Sequence, residues 1–203
     1  MTSLTLSATT VAALIFIPFA ASAEDGGFYL RAFGGVSMLS DTTTSGIAVT
    51  TTEFDTGTSL GGAIGWSFAT LPLRAELEFV YRSGDATGPL EGDFASTTFF
   101  INALYDLTVT GKIQPYVGAG LGYVTEIDWD VDAGAFAGEY ASRGDTALQL
   151  ILGASYALSD QWDLTAEIRR VDAGQQTLMD ASGQTLKADY TTTDLTVGIA
   201  FQY

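Results

Sequence analysis

The sequence predicts an all-β fold, an eight-stranded antiparallel up-and-down transmembrane β-barrel, and three observations support this prediction. From Phe28 onward, apolar and polar residues alternate with a period of two in eight segments, and no segment keeps a helical period. The connections between these segments alternate between short and long. Aromatic residues on the apolar faces collect at the ends of the segments.

Each of the eight segments is long enough to cross a membrane, because a tilted membrane strand needs about 9–11 residues. The segments cover residues 28–38, 58–69, 73–83, 96–107, 113–127, 146–158, 162–171 and 190–203. Short turns follow the second, fourth and sixth segments, whereas longer stretches rich in Gly, Ser, Thr and Asp follow the others. Bacterial membrane barrels have short periplasmic turns and longer external loops, so both chain termini are expected on the periplasmic side.

The alternation gives each segment an apolar and a polar face. A soluble lipocalin-like barrel would alternate in the same way with its apolar face inside, so the period alone leaves both orientations open. The aromatic positions favour lipid outside, because amphipathic rings collect at lipid–water interfaces. The predicted aromatic girdle at the periplasmic ends consists of Phe28, Trp66, Phe68, Tyr105, Tyr156, Trp162 and Tyr203. A looser ring at the opposite ends consists of Phe79, Tyr81, Phe99 and Tyr123.

The composition excludes several classes of protein. The 203 residues include 24 acidic and only eight basic ones, which gives a formal net charge of −16. Phosphate binding needs clustered Lys and Arg, so no nucleic-acid partner is expected. The chain is 47% apolar and 16% charged, which is too apolar for disorder. Past the N-terminus, no run of about 18 apolar residues could cross a bilayer as a helix, so a membrane assignment must rest on strands.

The first 23 residues differ from the rest of the chain. They carry no charge, they contain an apolar stretch over residues 11–21, and they end in Ala21-Ser22-Ala23. A short apolar core before a small-x-small site predicts a cleaved signal peptide over residues 1–23 and a barrel domain over residues 24–203. The n-region lacks the usual basic residue. A single membrane anchor is the alternative, but it would need about 20 apolar residues.

Several segments resemble a known family. They are Gly27-Phe28-Tyr29-Leu30, the run from Asn102 to Leu107, the run from Pro115 to Tyr123, and the terminal Tyr203. Together they resemble small outer-membrane proteins of the OmpA/OmpX-like barrel superfamily, and the Pro115 run resembles the porin-like barrels of α-proteobacteria. The resemblance covers the chain from about Gly26 to its end. It implies a monomer in a Gram-negative outer membrane, in contact with membrane lipid and lipopolysaccharide.

The last strand carries a further resemblance. Thr196, Gly198, Phe201 and Tyr203 match the C-terminal signature of bacterial barrels, with a polar residue, a glycine, an aromatic residue and a terminal aromatic residue. Odd positions along this segment form an unbroken apolar edge. By resemblance, this strand is expected to close the barrel against the first one and to be recognised by the barrel-assembly machinery during biogenesis.

The resemblance also bears on catalysis. Known enzymes among outer-membrane barrels use a His with Ser or Asp partners, and this sequence contains no His. Without imidazole, a general base near neutral pH would have to be a perturbed carboxylate or Lys in a dry cleft. The chain is therefore expected not to be an enzyme, and neither a catalytic residue nor a cofactor is predicted.

Charged residues on the polar faces predict a network inside the lumen. Its members are Arg31, Arg74, Glu76, Glu78, Arg82, Asp106, Glu167 and Arg169, with Asp163 on the same face. Eight strands leave an interior just wide enough for side chains, so these charges are expected to pair with one another. The network is either an ion path or, as the inward aromatic residues Tyr29, Phe33, Phe100 and Tyr116 favour, a rigid plug.

An acidic run near residue 130 suggests a weak calcium candidate. Asp128, Asp130 and Asp132 alternate along the chain, and Glu139 lies eleven residues after Asp128, as in an EF-hand loop. The sixth loop position is Ala133 instead of the required Gly, and the flanking segments are strands. An alternating acidic strand edge accounts for the same residues, so no metal site is predicted with them.

Three functions remain open. The first is a non-enzymatic integral barrel with a structural or barrier role and acidic surface loops. The second is an adhesin or ligand-binding surface protein, whose loops at residues 40–57 and 126–145 contact a host surface or an external ligand. The third is a small, narrow channel. Deletion of residues 42–52 would distinguish the first two functions by its effect on attachment, and conductance of the refolded protein would separate the channel from both.

Overall fold

The structure is a computed structural model that describes residues 26–108, 111–132 and 136–203. The predicted signal peptide lies outside the described residues. Within these three ranges, no helix is long and apolar enough to cross a membrane. The strands are β1 (Gly27–Leu39), β2 (Thr42–Thr43), β3 (Ser45–Gly46), β4 (Thr51–Phe54), β5 (Gly57–Ser67), β6 (Leu73–Thr87), β7 (Gly92–Asp106), β8 (Ile113–Val131), β9 (Gly138–Ser142), β10 (Asp145–Ala157), β11 (Trp162–Met179) and β12 (Thr185–Gln202).

Eight long strands form a closed antiparallel ring. Its order is β1, β5, β6, β7, β8, β10, β11 and β12, and β12 pairs back with β1. The closing pair keeps a continuous register from Tyr29 opposite Gln202 to Leu39 opposite Thr192. The predicted eight-stranded antiparallel barrel is confirmed.

The four short strands extend the wall of the barrel at the end predicted to be external. Strand β4 pairs with β6, β2 pairs with β4, and β3 pairs with β12. Strand β9 pairs with β8 along its whole length and reaches β11 at Met179 opposite Ala141. These short strands therefore continue the wall above the ends of β1, β5 and β10.

The strands run further outward than the sequence predicts. At the periplasmic end, every observed strand end lies within two residues of the predicted one. At the external end, β11 continues to Met179 instead of ending at 171, and β12 begins at Thr185 instead of 190. Much of the segment predicted as loop at 172–189 is thus a hairpin. Its Gly, Ser, Thr and Asp residues resemble loop composition, yet they alternate between the two faces of a strand.

The barrel has two parts, which we call the membrane-spanning part and the external extension. The membrane-spanning part comprises residues 27–39, 58–67, 73–82, 97–106, 113–124, 146–157, 162–171 and 192–202. The external extension comprises residues 40–57, 83–96, 125–132, 136–145 and 172–191. In the membrane-spanning part, apolar side chains point outward: Leu77 is 53% exposed, whereas Glu78, next in the chain, is 0% exposed.

The external extension reverses this pattern, because most of its large apolar side chains point inward, with Val49 and Met179 as exposed exceptions. They form a buried cluster that includes Ala86, Leu90, Phe94, Ile127, Trp129, Val131, Tyr140, Leu178, Leu186, Ala188 and Tyr190. The Trp129 ring centroid lies 5.4 Å from that of Phe54, and its indole N–H donates to Leu90 O at 3.2 Å. The cluster fills the external end of the barrel.

Two β-bulges accompany the reversal. In β8, Thr125 is an extra residue, since Thr97 lies opposite Glu126 and Thr98 opposite Val124. Its hydroxyl donates to Thr97 O at 2.9 Å. In β11, Ala173 is likewise extra, between Asp172 and Gly174. Each bulge exchanges the inward and outward positions of its strand, because side chains alternate with a strict period of two.

Candidate functional site

The charged residues of the lumen come together at mid-height in the barrel. Strand β1 contributes Arg31, β6 contributes Glu76 and Glu78, and β11 contributes Glu167 and Arg169. Each occupies an inward position of its strand, and each is at most 4% exposed. Three strands that are far apart in the sequence thus place three carboxylates and two guanidinium groups in one layer.

Arg31 is the centre of this layer. Its Nη2 lies 2.7 Å from Glu76 Oε2 and 3.1 Å from Glu78 Oε2. Its Nη1 lies 2.7 Å from Glu167 Oε2. Arg169 completes the layer, since its Nη1 lies 3.2 Å from Glu78 Oε1 and its Nε donates to Glu167 Oε2 at 2.7 Å. Every carboxylate therefore contacts at least one guanidinium group.

Neutral donors add further hydrogen bonds to all three carboxylates. The Tyr29 hydroxyl donates to Glu76 Oε1 at 2.7 Å, and the Tyr116 hydroxyl donates to Glu167 Oε1 at 2.6 Å. The side-chain amides of Asn102 and Gln149 donate to Glu78 at 3.3 and 3.1 Å. Buried charges are tolerated only when they are paired and hydrogen-bonded in this way.

Glycines on neighbouring strands make room for the two tyrosines. A Cβ at Gly65 would lie 2.1 Å from the Tyr29 ring, and a Cβ at Gly153 would lie 2.5 Å from the Tyr116 ring. Any larger residue would displace these rings. The rings therefore lie across the lumen against bare backbone, where they fill it.

Two further ion pairs lie above and below the central layer. Towards the external end, Arg82 Nη2 lies 2.8 Å from Asp194 Oδ2, and Ser37 Oγ donates to Asp194 Oδ1 at 2.8 Å. At the periplasmic mouth, Arg74 binds both carboxylate oxygens of Asp106, at 2.8 and 3.1 Å. The side chains of this lower pair are partly exposed, in contrast to those of the central layer.

Asp194 is a lumen residue that was not predicted, although its inward position follows from the alternation along β12. Asp194 shares its face with Tyr190, Thr192, Thr196 and Gly198, because even positions along β12 point inward. Asn102 and Gln149 were missed for a different reason, since neither is charged. Asp163, in contrast, accepts a hydrogen bond from Gln202 Nε2 at 3.0 Å and takes no part in the central layer.

The aromatic residues of the predicted girdle lie at the periplasmic rim. Trp66, Tyr105 and Trp162 are each at least 40% exposed on the outer surface. The Phe201 ring centroid lies 4.8 Å from that of Trp162 and 4.9 Å from that of Tyr203. The C-terminal aromatic residues thus pack into the rim. Recognition of Thr196, Gly198, Phe201 and Tyr203 by the assembly machinery stays a prediction.

The acidic residues of the calcium candidate lie on strands. Asp128 and Asp130 point outward from β8, and Asp130 lies opposite Glu139 of β9. Burial and the neighbouring Glu126 carboxylate raise the pKa of Asp128. In the part of the chain that the structure describes, no three acidic residues converge on a point that could hold a metal ion.

The family of the chain follows from comparison with known proteins. No curated protein matches it in sequence. Among solved structures, Neisserial surface protein A is 19% identical, covers 87% of this chain and 97% of its own, and has a TM-score of 0.60. OprG from Pseudomonas aeruginosa is 18% identical, with coverages of 89% and 97% and a TM-score of 0.60. A major outer membrane protein from Thermus thermophilus is 13% identical, with coverages of 87% and 99% and a TM-score of 0.53.

These structures share the fold of the chain, and a family model specifies the family. The model of the outer membrane protein beta-barrel domain matches residues 7–202, which is nearly the whole sequence. A closed ring of eight antiparallel strands with an apolar outer wall and a charged interior agrees with that match. The chain therefore belongs to the outer membrane protein beta-barrel domain family, as a small barrel of the Gram-negative outer membrane.

Proposed function

We propose that the protein is a non-enzymatic structural barrel, closed to ions, that contributes to the barrier of the outer membrane and presents an acidic external surface. The observation that carries this proposal is the central layer of five buried charges. The side chains of Arg31, Glu76, Glu78, Glu167 and Arg169 are at most 1% exposed. An ion path would leave some of these groups accessible to water.

The lumen is filled at two heights, and this supports closure. On the periplasmic side of the external extension, ion pairs and the rings of Tyr29 and Tyr116 fill the membrane-spanning part. Above, the apolar cluster around Phe94 and Trp129 fills the external extension. An ion would have to displace both, first by breaking hydrogen-bonded charge pairs and then by entering an apolar core. The second step is costly because an unpaired charge is poorly solvated there.

The chemistry of the interior supports a non-enzymatic role. The sequence contains no His and no Cys. The buried carboxylates that could act as bases accept hydrogen bonds from guanidinium, hydroxyl and amide donors. A general base must instead reach a substrate with a free lone pair. These carboxylates are engaged in holding β1, β6 and β11 together.

Conductance of the refolded protein tests the proposal. The full mature chain, refolded into planar bilayers, is expected to give no resolved unitary steps. A large porin incorporated into the same bilayers provides the positive control. Heat-modifiable migration on gels verifies that the tested protein is folded.

The matched variant is Arg74→Ala. Arg74 pairs with Asp106 at the half-buried periplasmic mouth, outside the central layer, so this variant is expected to remain closed. Resolved steps from the folded wild type that Arg74→Ala enlarges would overturn the proposal and support the narrow-channel alternative. If neither the wild type nor Arg74→Ala gives resolved conductance steps while the control porin does, the closed lumen is supported.

A further inference from the structure

The outward stripe of apolar residues ends at a belt of hydroxyl groups. On most long strands, the first polar outward residue at the external boundary is Thr or Ser. These residues are Thr58, Ser83, Thr97, Thr146 and Thr193. Strand β11 is different, because Arg170 occupies this level, directly opposite Thr193. One guanidinium group therefore interrupts the belt where lipid headgroups begin.

The Arg170 side chain is exposed, and only one of its three nitrogen atoms donates a hydrogen bond within the described residues. Its Nη1 donates to Thr193 Oγ1 at 2.7 Å and to Ser40 Oγ at 3.4 Å. Among the described residues, no carboxylate lies within ion-pair distance of it. Asp172 lies on the same face, but it accepts a hydrogen bond from the Gly174 N–H at 2.8 Å. Nε and Nη2 of Arg170 thus remain available to an anion.

An open, mostly apolar groove of about 790 Å³ runs along the lipid-facing wall to Arg170, and Asp172 also lines this end of it. Successive strand partners define its course: Ala75 lies opposite Ala103, Ala103 opposite Ala119, Ala119 opposite Leu150, and Leu150 opposite Arg170. Four inter-strand steps of about 4.8 Å give it a length of about 19 Å. It begins near the periplasmic end of β6 and rises to the external boundary, because the strands are tilted.

Charge distinguishes the Arg170 end of the groove, on β11, from the external surface above β6, β7 and β8. Asp85, Asp93, Asp130 and Glu139 lie in one register row across β6, β7, β8 and β9, and all are exposed. This row repels anions. Of the eight basic residues, four lie inside the barrel and Lys112 lies in a periplasmic turn, which leaves Arg143, Arg170 and Lys187 outside. Arg143 is bound by Glu126.

We propose that Arg170 and its groove form a binding site for one phosphorylated, multiply acylated glycolipid of the outer leaflet, of the lipid A type. Arg170, steadied by Thr193 and Ser40, binds a phosphate, and an acyl chain lies along the groove. A guanidinium group at the headgroup level above an apolar groove complements this ligand in both charge and hydrophobicity. The site goes beyond the proposed function, because a closed lumen does not require it.

Native mass spectrometry of the full mature chain in detergent micelles, titrated with purified lipid A, tests the site. The folded wild type is expected to bind one lipid A in preference to further copies. Arg170→Gln is expected to weaken this binding about tenfold, the loss of one charge-assisted contact. Arg170→Lys keeps a point charge, so its lipid A affinity is expected to lie between those of the wild type and Arg170→Gln. Gel migration checks that every variant is folded.

Two variants act as controls. Lys187→Gln removes an equal charge from the outer surface of β12, further from the membrane, and is expected to bind like the wild type. Ala119→Leu fills the groove without touching the lumen and is expected to weaken binding although Arg170 is intact. Loss of affinity in both Arg170→Gln and Ala119→Leu, with Lys187→Gln unchanged, would support a joint headgroup and acyl-chain site.

Several outcomes would overturn the proposal. Equal lipid A affinity for the wild type and Arg170→Gln would remove the phosphate contact. Equal binding of phosphatidylglycerol would mean that any anionic lipid suffices, and the commitment to a lipid A ligand would be wrong. A dimer that Ala119→Leu abolishes, without an effect of Arg170→Gln, would assign the groove to a second copy of the chain instead.

Discussion

The membrane-spanning part and the external extension are built from the same strands with opposite patterns. Strand β12 carries both: Leu195 and Val197 face outward and Asp194 inward, whereas higher up Leu186 and Tyr190 face inward and Lys187 outward. Strand β12 itself has no extra residue at the change, because the surplus residue of this ladder, Ala173, lies on β11. The medium around the barrel, and not the strand, therefore decides which face is apolar.

Different forces hold the two parts together. In the external extension, water surrounds the wall, so burial of Trp129, Ile127 and their neighbours stabilises the fold by the hydrophobic effect. In the membrane-spanning part, lipid solvates the apolar face, and the interior can be polar. Its cohesion rests on charge pairs such as Arg31 with Glu76, together with the closed hydrogen-bond ladder.

The largest expected effect comes from placing a charge on the lipid face of β6. Leu77 points to lipid midway along the membrane-spanning part, and Leu77→Arg is expected to destabilise folding by about 2–4 kcal/mol. Glu78→Gln, one residue on, is expected to cost only about 1 kcal/mol, because Arg31 and Arg169 still face the carboxylates of Glu76 and Glu167. Urea titrations of the proteins refolded into liposomes would measure both.

This pair of variants also tests the assignment of the two faces. Leu77→Gln serves as a control for size and polarity without charge, and its cost is expected to lie between the other two. Equal destabilisation by Leu77→Arg and Glu78→Gln would mean that the inward and outward faces are exchanged.

A matched deletion of methyl groups in the two parts should have a smaller effect. Ile127 is 1% exposed in the external cluster, whereas Ile101 is 70% exposed on the lipid face of β7. Ile127→Ala is expected to cost about 2–3 kcal/mol, because it leaves a cavity in a packed core. Ile101→Ala is expected to cost less than Ile127→Ala, since fluid lipid fills the space and only a transfer term is lost. The same denaturant titration compares them.

The difference in unfolding free energy between the two variants would distinguish a packed protein core from a surface solvated by fluid lipid. Limited proteolysis adds a local readout, because Ile127→Ala is expected to expose the external extension while the membrane-spanning part stays protected. Equal costs for the two variants would contradict the view that the external extension has a packed core of its own.

The smallest expected effect is electrostatic and is confined to the external extension. The pKa of Asp128 is raised above its ordinary value of 3.8 by burial and by Glu126. Burial also pushes the pKa of Asp180 upward, but hydrogen bonds from the Ser182 hydroxyl and from backbone N–H groups outweigh it and lower the pKa below 3.8. Carboxyl-carbon NMR titration in micelles should therefore give a higher midpoint for Asp128 than for Asp180.

The two groups affect stability in opposite directions. The contribution of Asp128 is present at pH values below 3.8 and is lost as the pH rises through its raised pKa. The contribution of Asp180 is present above pH 3.8 and is lost as the pH falls through its lowered pKa. Arg143→Gln removes a nearby cation that lowers the pKa of Asp128, so it is expected to raise that midpoint further. An unchanged midpoint would contradict this interaction.

The sequence predicts the membrane-spanning part well, for a physical reason. Lipid imposes a strict alternation on every strand, so the periplasmic strand ends and the inward positions of Arg31, Glu78 and Arg169 follow from counting by two. Pairing partners do not follow in this way. That Arg31 meets Glu167 depends on which strands face each other across the closed ring.

The external extension was predicted less well, because its residues resemble those of loops. Residues 42–52, predicted to be part of a free loop, form β2, β3 and part of β4, and Thr42, Thr44 and Thr52 are buried in the wall. Each bulge also shifts the alternation of inward and outward positions by one residue. Beyond Thr125, the outward residues of β8 change from odd to even positions, so Asp128 and Asp130 face water while Trp129 turns inward.

The extra residues at Thr125 and Ala173 have a consequence for how such a chain can change over evolutionary time. A one-residue insertion in a regular strand would turn everything beyond it inside out, which selection would remove. At a bulge, the ladder already accommodates a surplus residue, so the phase of the distal segment is set independently of the proximal one. The tips of these hairpins can therefore diversify, or be exchanged between relatives, while the part fixed by the bilayer keeps its pattern.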